Sequence, residues 1–334
     1  MQALAMICNE QQKFSIEDVT LKDLEPGEVL VRNEYSGVSI GTEFALIRNK
    51  ISWGPFPICP GYMSTGVIEA VGEGVDSLSL GEKVYTRGNN TNTMTLNDGT
   101  KVSCTSGAHA SHIIARVEST HGVEKLPEGV AMDVASTFVM PAVALYGVDM
   151  ANPRMGQTVV VFGTGLIGLG VVAACVHRGC VVIAVDLDAN RLAVAKSLGA
   201  DYLINGSTEN VSTAVHKIVP DGADAVFEST GIPACIDLAI PLCRSFGSFV
   251  WQGNYGADPV SFHFLPAHGR RLQMFFPCDD GLQPCRRAVL KNIAMGTLDW
   301  EQTITHRIDY TDAPGMYARI NQGDKSILGM VIRW

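Results

Sequence analysis

Gly163, Gly165 and Gly168 form a G-x-G-x-x-G, and Asp186 follows Gly168 by 18 residues. That set of residues can hold a dinucleotide. Gly163 permits a tight turn, Gly165 lets the backbone approach a pyrophosphate, and Gly168 allows close helix packing. The N-terminus of a helix beginning at Leu166 would offer N–H groups and a positive dipole end to the phosphates. A carboxylate at Asp186 could accept both ribose hydroxyls. In a chain with 34 glycines the spacing alone says little, so the flanking elements decide. Thr158–Phe162 is a short, β-branched-rich run of the kind that makes a buried parallel strand. Leu166 to about His177 is apolar and of helical length, and Cys180–Val185 is a second strand ending at Asp186. A membrane helix would also account for the apolar run, but the glycines interrupt it and a β-α-β unit explains it without a bilayer.

The same alternation continues downstream. Helices are expected at 188–198, 209–219 and 233–243, with strands at 201–205, 225–228, 247–252 and 272–276. Such alternation demands a parallel sheet with helices on both faces, a doubly wound α/β domain. Residues 1 to about 120 read instead as β-rich. Strands are expected at 28–34, 61–72, 80–85 and 107–114, a short helix at 44–48, and a polar surface loop at 88–99. A helix over 133–150 leads into the second domain. Beyond residue 280 come a helix at 283–295, a turn at Thr305-His306-Arg307, a helix at 312–321 and a last strand at 328–332 that returns to the first domain. The expected division is 1–140 completed by 280–334, and 141–279.

A chain of 334 residues exceeds one typical core. Its net charge of −9 and lack of basic clusters longer than two or three residues argue against nucleic acid as a partner. The first dozen residues lack a signal-peptide pattern, and nine scattered cysteines fit reduced thiols in a cytoplasmic setting. No membrane association is expected.

The chain resembles the medium-chain dehydrogenase/reductase superfamily over nearly its whole length. The resemblance is carried by Pro26-Gly27-Glu28-Val29-Leu30-Val31, Ser36-Gly37-Val38, Gly66 to Gly72 with Gly74-Val75, Leu80-Gly81-Glu82-Lys83-Val84, the Gly163–Gly168 loop, Leu198-Gly199-Ala200-Asp201 and Thr305-His306-Arg307. It implies a GroES-like, β-rich catalytic domain, a Rossmann coenzyme domain and a cleft between them. The coenzyme set it implies is Gly163, Thr164, Gly165, Leu166, Ile167, Gly168, Asp186, Arg191, Thr230, Gly253 and Asn254. NAD is expected over NADP, since Asp186 would repel a 2′-phosphate and no arginine directly follows it.

The departures bear on the chemistry. Zinc members place a cysteine after Ser-Gly-Val, where this chain has Ser39 or Ile40. They place Gly-His-Glu where this chain has Gly61-Tyr62-Met63, and a third ligand before a proline where it has Met140. The four cysteines of a structural zinc lobe are missing, with Cys104 alone in that region. Zinc needs three protein donors at a catalytic site and four at a structural one, so no metal is expected. Ser39-Ile40-Gly41-Thr42-Glu43, Pro60-Gly61-Tyr62 and the terminal Trp334 resemble a metal-free subgroup similar to bacteriochlorophyllide dehydrogenase, which oxidises a hydroxyethyl group on a tetrapyrrole.

The expected activity is NAD(H)-dependent, zinc-independent hydride transfer between a nicotinamide and an alcohol or ketone, such as a secondary alcohol, a polyol or sugar-like compound or a hydroxyethyl group. The alternatives are a metal-free enoyl or quinone reductase and a non-catalytic dinucleotide-binding protein. The candidate catalytic residues are Tyr62, as donor to the substrate oxygen, Thr42, Glu43 and His109. Tyr62 as mere filler of the zinc's volume is an equal reading. His109 and His112 point to opposite faces of an expected strand, which disfavours a metal pair. Cys59 reads as a buried inert thiol, Glu228 as a packing acid, and His306 as structural. Residues 260–265 read as an extra edge strand through which a homodimer could join sheets.

Overall fold

The computed structural model describes residues 1–88, 94–104, 107–117 and 119–334. The chain divides into two units: Met1–Val139 with Leu290–Trp334, and Met140–Val289. The architecture is the mixed α/β one expected, with a β-rich unit and a parallel-sheet unit.

The first unit opens with strands β1 (Gln2–Cys8), β2 (Phe14–Leu21) and β3 (Glu28–Gly37), then helix α1 (Ile40–Ile47). Strands β4 (Met63–Val71), β5 (Lys83–Arg87), β6 (Met94–Leu96), β7 (Lys101–Val102), β8 (His112–Arg116) and β9 (Val123–Lys125) follow, then the short helix α2 (Met132–Ala135). Of the expected polar loop, residues 89–93 lie outside the described residues and 94–96 form a strand. The β1–β2 hairpin was not expected. It forms because Ala5, Val19 and Leu21 enter a common core with Val29, Val31 and Ile113.

Helix α3 (Val139–Ala151) leads into the second unit. There β10 (Thr158–Phe162), α4 (Leu166–His177), β11 (Val181–Asp186), α5 (Ala189–Ser197), β12 (Tyr202–Asn205), α6 (Val211–Ile218), β13 (Ala223–Glu228), α7 (Pro233–Ala239), β14 (Cys243–Trp251), α8 (Phe264–Arg270) and β15 (Gln273–Phe275) alternate. The strands are parallel in the order β12-β11-β10-β13-β14-β15. The order reverses between β10 and β13, and such a switch point opens a crevice at the carboxyl ends of the strands. The central strands β10, β11 and β13 are buried on both faces, hence their apolar runs.

Helix α9 (Leu282–Ala294) carries the chain back to the first unit, where β16 (Ile304–Asp309), α10 (Ala313–Asn321) and β17 (Gly329–Arg333) complete it. Among the described residues the larger sheet runs β16-β17-β3-β4-β5-β9, with β8 also on β3. Thr305-His306-Arg307 is thus a strand, not a turn. Residues 260–265 are not a strand either. Val260 and Phe262 pack into the core of the second unit, and Phe264 and Leu265 begin α8. The sheet's edge on that side is β15.

Candidate functional sites

Each unit holds one site. In the second unit the loop from β10 to α4 behaves as its glycines require. Gly163 has φ +93°, and a Cβ there would stand 2.7 Å from Thr230 Cγ2. A Cβ on Gly168 would stand 1.9 Å from the Gly163 carbonyl oxygen, so no other residue fits without moving the loop. A Cβ on Gly165 would meet nothing within 4 Å. Gly165 is also the N-cap of α4 and brings no capping side chain. The first-turn N–H groups around Leu166 and Ile167 are therefore free of side-chain caps and available to an anion. This loop fits a pyrophosphate.

Asp186 ends β11 beside that loop. Its Oδ2 accepts from Thr164 N (2.6 Å) and Thr164 Oγ1 (3.0 Å), and its Oδ1 from Leu187 N (2.8 Å) and Asp188 N (3.0 Å). A carboxylate has about four acceptor directions, so a ribose must share or displace these bonds. The acid braces the glycine loop as well as charging it. Arg191 points back toward Asp188, at 4.0 Å. Glu228, buried at the end of β13, accepts from Thr230 N (2.9 Å), Gly231 N (3.3 Å), Thr230 Oγ1 and Tyr255 Oη. Gly253 donates to the Glu228 carbonyl at 2.8 Å, and a Cβ on it would meet Gly231 N at 2.4 Å. Asn254 Oδ1 accepts from Gly256 N. Thr230, Gly253 and Asn254 thus lie on two turns that Glu228 ties together.

In the first unit a chain of buried polar groups joins β3, α1, α10 and the C-terminus. Trp334 Nε1 donates to Ser36 Oγ (2.8 Å), which lies 2.7 Å from His109 Nδ1. His109 Nε2 lies 3.0 Å from Glu43 Oε2 and 2.7 Å from Tyr317 Oη, and Tyr317 donates to Glu43 Oε2 at 2.5 Å. Glu43 Oε1 accepts from Ser39 N at 2.7 Å. The indole can only donate, so Ser36 accepts from it. His109 turns Nδ1 to Ser36 and Nε2 to Glu43 and Tyr317. Glu43, His109 and Tyr317 are fully enclosed. Burial, reinforced by the Glu43 charge, pushes the Tyr317 hydroxyl well above its ordinary pKa. Gly61 (φ +85°) makes room for this group, since a Cβ there would stand 2.7 Å from the His109 ring.

Tyr62 follows Gly61 and is 5% exposed. Its ring lies under the Arg87 guanidinium, 4.6 Å from the centroid, and edge-on to Trp53 at 6.2 Å. Burial raises its pKa, opposed by the Arg87 charge and by hydrogen bonding to the Ser39 and Thr42 side chains. The phenol therefore keeps its proton at neutral pH and beyond. Of the sequence candidates, Tyr62, Thr42 and Glu43 converge here. His109 joins them through Glu43, its ring nitrogens occupied by Ser36, Glu43 and Tyr317. His112 instead pairs with Glu69 at 2.9 Å. Cys59 is enclosed, and burial pushes its thiol well above the ordinary range. Tyr317, Arg87 and Trp53 escaped sequence reasoning. Ser36 and Trp334 were noticed as motif members without a partner.

Among the described residues no cluster of three or more His, Cys, Asp or Glu is placed to hold a metal. The residues at the superfamily's zinc positions do not supply a zinc donor set. Nor is any helix among them long and apolar enough to cross a membrane.

Two family descriptions match the chain: an alcohol dehydrogenase GroES-like domain over residues 25–128 and a zinc-binding dehydrogenase over residues 167–294. The chain belongs to the medium-chain dehydrogenase/reductase superfamily. It is 25% identical to erythritol/L-threitol dehydrogenase of Mycolicibacterium smegmatis, over 97% of this chain and 95% of that protein. It is 24% identical to a D-xylulose reductase of Saccharomyces cerevisiae, over 92% and 91%. Among solved structures, benzyl alcohol dehydrogenase from Acinetobacter calcoaceticus shares the fold, with TM-score 0.87, 18% identity and coverage of 100% and 99%. The chain is an oxidoreductase of the medium-chain alcohol dehydrogenase type.

Proposed function

We propose that this dehydrogenase moves hydride between NAD(H) and an alcohol or ketone without zinc, using the Tyr62 hydroxyl where its relatives would place a metal ligand. The observation that carries the reading is the buried Tyr62 phenol, lying under the Arg87 guanidinium and beside α1. Bound nicotinamide supplies the hydride chemistry. Tyr62 holds a proton toward the substrate oxygen as charge develops there, which is the work a metal would otherwise do. Thr42 and Ser39 fix the direction of that hydroxyl. Glu43 pins the Ser39 backbone, and His109 and Tyr317 hold Glu43, so these three position the donor from behind. The metal-free subgroup resembling bacteriochlorophyllide dehydrogenase fits this reading. Reduced-nicotinamide absorbance tests it with a panel of secondary alcohols, ketones, enones and quinones. Turnover only of enones or quinones would make the chain a C=C reductase, and no turnover of any class would leave a dinucleotide-binding protein.

Two expectations follow from the donor sets. Purified protein should carry far less than one zinc per chain, and chelators should leave its activity intact. Elemental analysis showing stoichiometric zinc would overturn the metal-free reading. Asp186→Ser should weaken NAD binding by roughly 1.5–3 kcal/mol, the worth of hydrogen bonds to a charged group, and narrow the preference over NADP. Part of that loss would come through Thr164, which Asp186 holds. Equal or better use of NADP by the unaltered protein would refute the coenzyme assignment.

A further inference from the structure

Helix α4 ends in a Schellman turn whose two facing side chains are both cysteines. Cys180 N donates to the Cys175 carbonyl at 3.0 Å and Gly179 N to the Val176 carbonyl at 2.9 Å, with Gly179 at φ +76°. That pair of bonds sets a residue of the helix's last turn beside the second residue past its cap. Here those residues are Cys175 and Cys180, and β11 begins at the next residue, Val181. The path from one Cα through the bonded oxygen and nitrogen to the other is at most about 6.9 Å. Cysteines become unbridgeable only beyond about 7 Å. Cys175 is fully enclosed, and Cys180 is 7% exposed. Hydrogen bonding between the thiols, then burial, pushes Cys175 well above its ordinary pKa. The same contact draws Cys180 below its own, against burial and with help from the Arg178 charge.

We propose that Cys175 and Cys180 form a reversible oxidation site, at which a hydroperoxide converts the two thiols to a disulfide. The site is separate from the chemistry at Tyr62. The Cys180 thiolate, the more exposed of the two, attacks one peroxide oxygen. An S–O bond forms, the O–O bond breaks, and the other oxygen leaves with a proton as water or an alcohol. The Cys175 sulfur then attacks the Cys180 sulfur. An S–S bond forms, the S–O bond breaks, and hydroxide leaves as water with the Cys175 proton. The thiols lose two electrons, both taken by the hydroperoxide. An external dithiol reverses the change by thiol–disulfide exchange. Burial pushes Cys8, Cys243 and Cys285 up to about 12, so they hold almost no thiolate to compete.

Arg178 lies between the two cysteines, which makes the bond readable by mass. The reduced full chain is treated with one equivalent of hydrogen peroxide, denatured, alkylated and cut with trypsin without reductant. Cleavage after Arg154, Arg178 and Arg191 puts the cysteines on separate peptides, 155–178 and 179–191, neither with another cysteine. The oxidised chain should yield these peptides joined, two hydrogens lighter than their sum, and dithiothreitol should release them. Cys175→Ser should abolish the link and leave Cys180 as a sulfenic acid that dimedone traps. Cys180→Ser should leave Cys175 unoxidised. Both peptides recovered separately with alkylated cysteines, Cys180 joined chiefly to another cysteine, or oxidation of the exposed Cys278 ahead of this pair would each overturn the proposal. So would oxidation of Cys175 in the Cys180 variant.

Discussion

Tyr62→Phe should lower turnover by about 10²–10⁴-fold, the range of a lost general acid–base group, with coenzyme affinity unchanged. The substitution deletes one oxygen and keeps the ring. That ring is what packs edge-on to Trp53 and lies under Arg87, so the apolar and cation–π contacts survive. The Gly163–Gly168 loop proposed for the coenzyme is untouched by the substitution. The pH dependence adds a second readout. Because burial raises the phenol's pKa from 10.0, the neutral donor form persists above that value, and turnover should show no alkaline limb from Tyr62 below about pH 10. Steady-state kinetics over pH, with NADH binding followed by fluorescence, measures both. A variant with near-normal turnover would move the donor role away from Tyr62 and leave it as a space-filling ring.

The second unit was legible because its signals are local. β-branched runs, glycine spacing and an acid at a strand end all fall within thirty residues, and β10, α4 and β11 form where that pattern put them. Errors arose where burial is partial. β2 alternates apolar with acidic residues, Glu17 and Asp18 among them, and lies half exposed. β16 pairs only with β17 at the edge of its sheet, so its polar Thr-His-Arg looked like a turn. Val260 and Phe262 have the look of a strand, but Phe262 is drawn edge-on to Trp251 at 5.4 Å instead. The candidate site was only half legible for a different reason. Glu43 and Tyr62 announce themselves by standing where a metal site is expected. Tyr317 is 274 residues from Glu43, and Ser36 is 73 residues from His109, so no spacing encodes either contact. Only the return of α10 and β17 to the first unit brings them together.

That return makes Glu43 the residue whose loss should cost the fold most. Three groups converge on its carboxylate: Ser39 N–H on Oε1, and Tyr317 O–H and the His109 Nε2 edge on Oε2. None of the three side chains involved is open to water. Glu43→Ala strands Tyr317 and His109 in an apolar surrounding built by Phe44, Met6 and Ile47. Removing the carboxylate leaves two buried polar side chains without their partner, at about 1–3 kcal/mol each. Glu43→Gln preserves shape but offers one acceptor oxygen where three groups converge, and turns an amide N–H₂ toward a donor. It should therefore be clearly destabilising too, by about 1–3 kcal/mol for the stranded group. Trp334→Phe removes only the outermost donor to Ser36 and should cost about 1 kcal/mol. The order Ala, then Gln, then the Trp334 variant is the test, read by equilibrium denaturation of the full chain. If Glu43→Ala unfolds within about 1 kcal/mol of the parent, the buried network contributes little to stability. Glu43 would then have to be explained by the chemistry at Tyr62 alone.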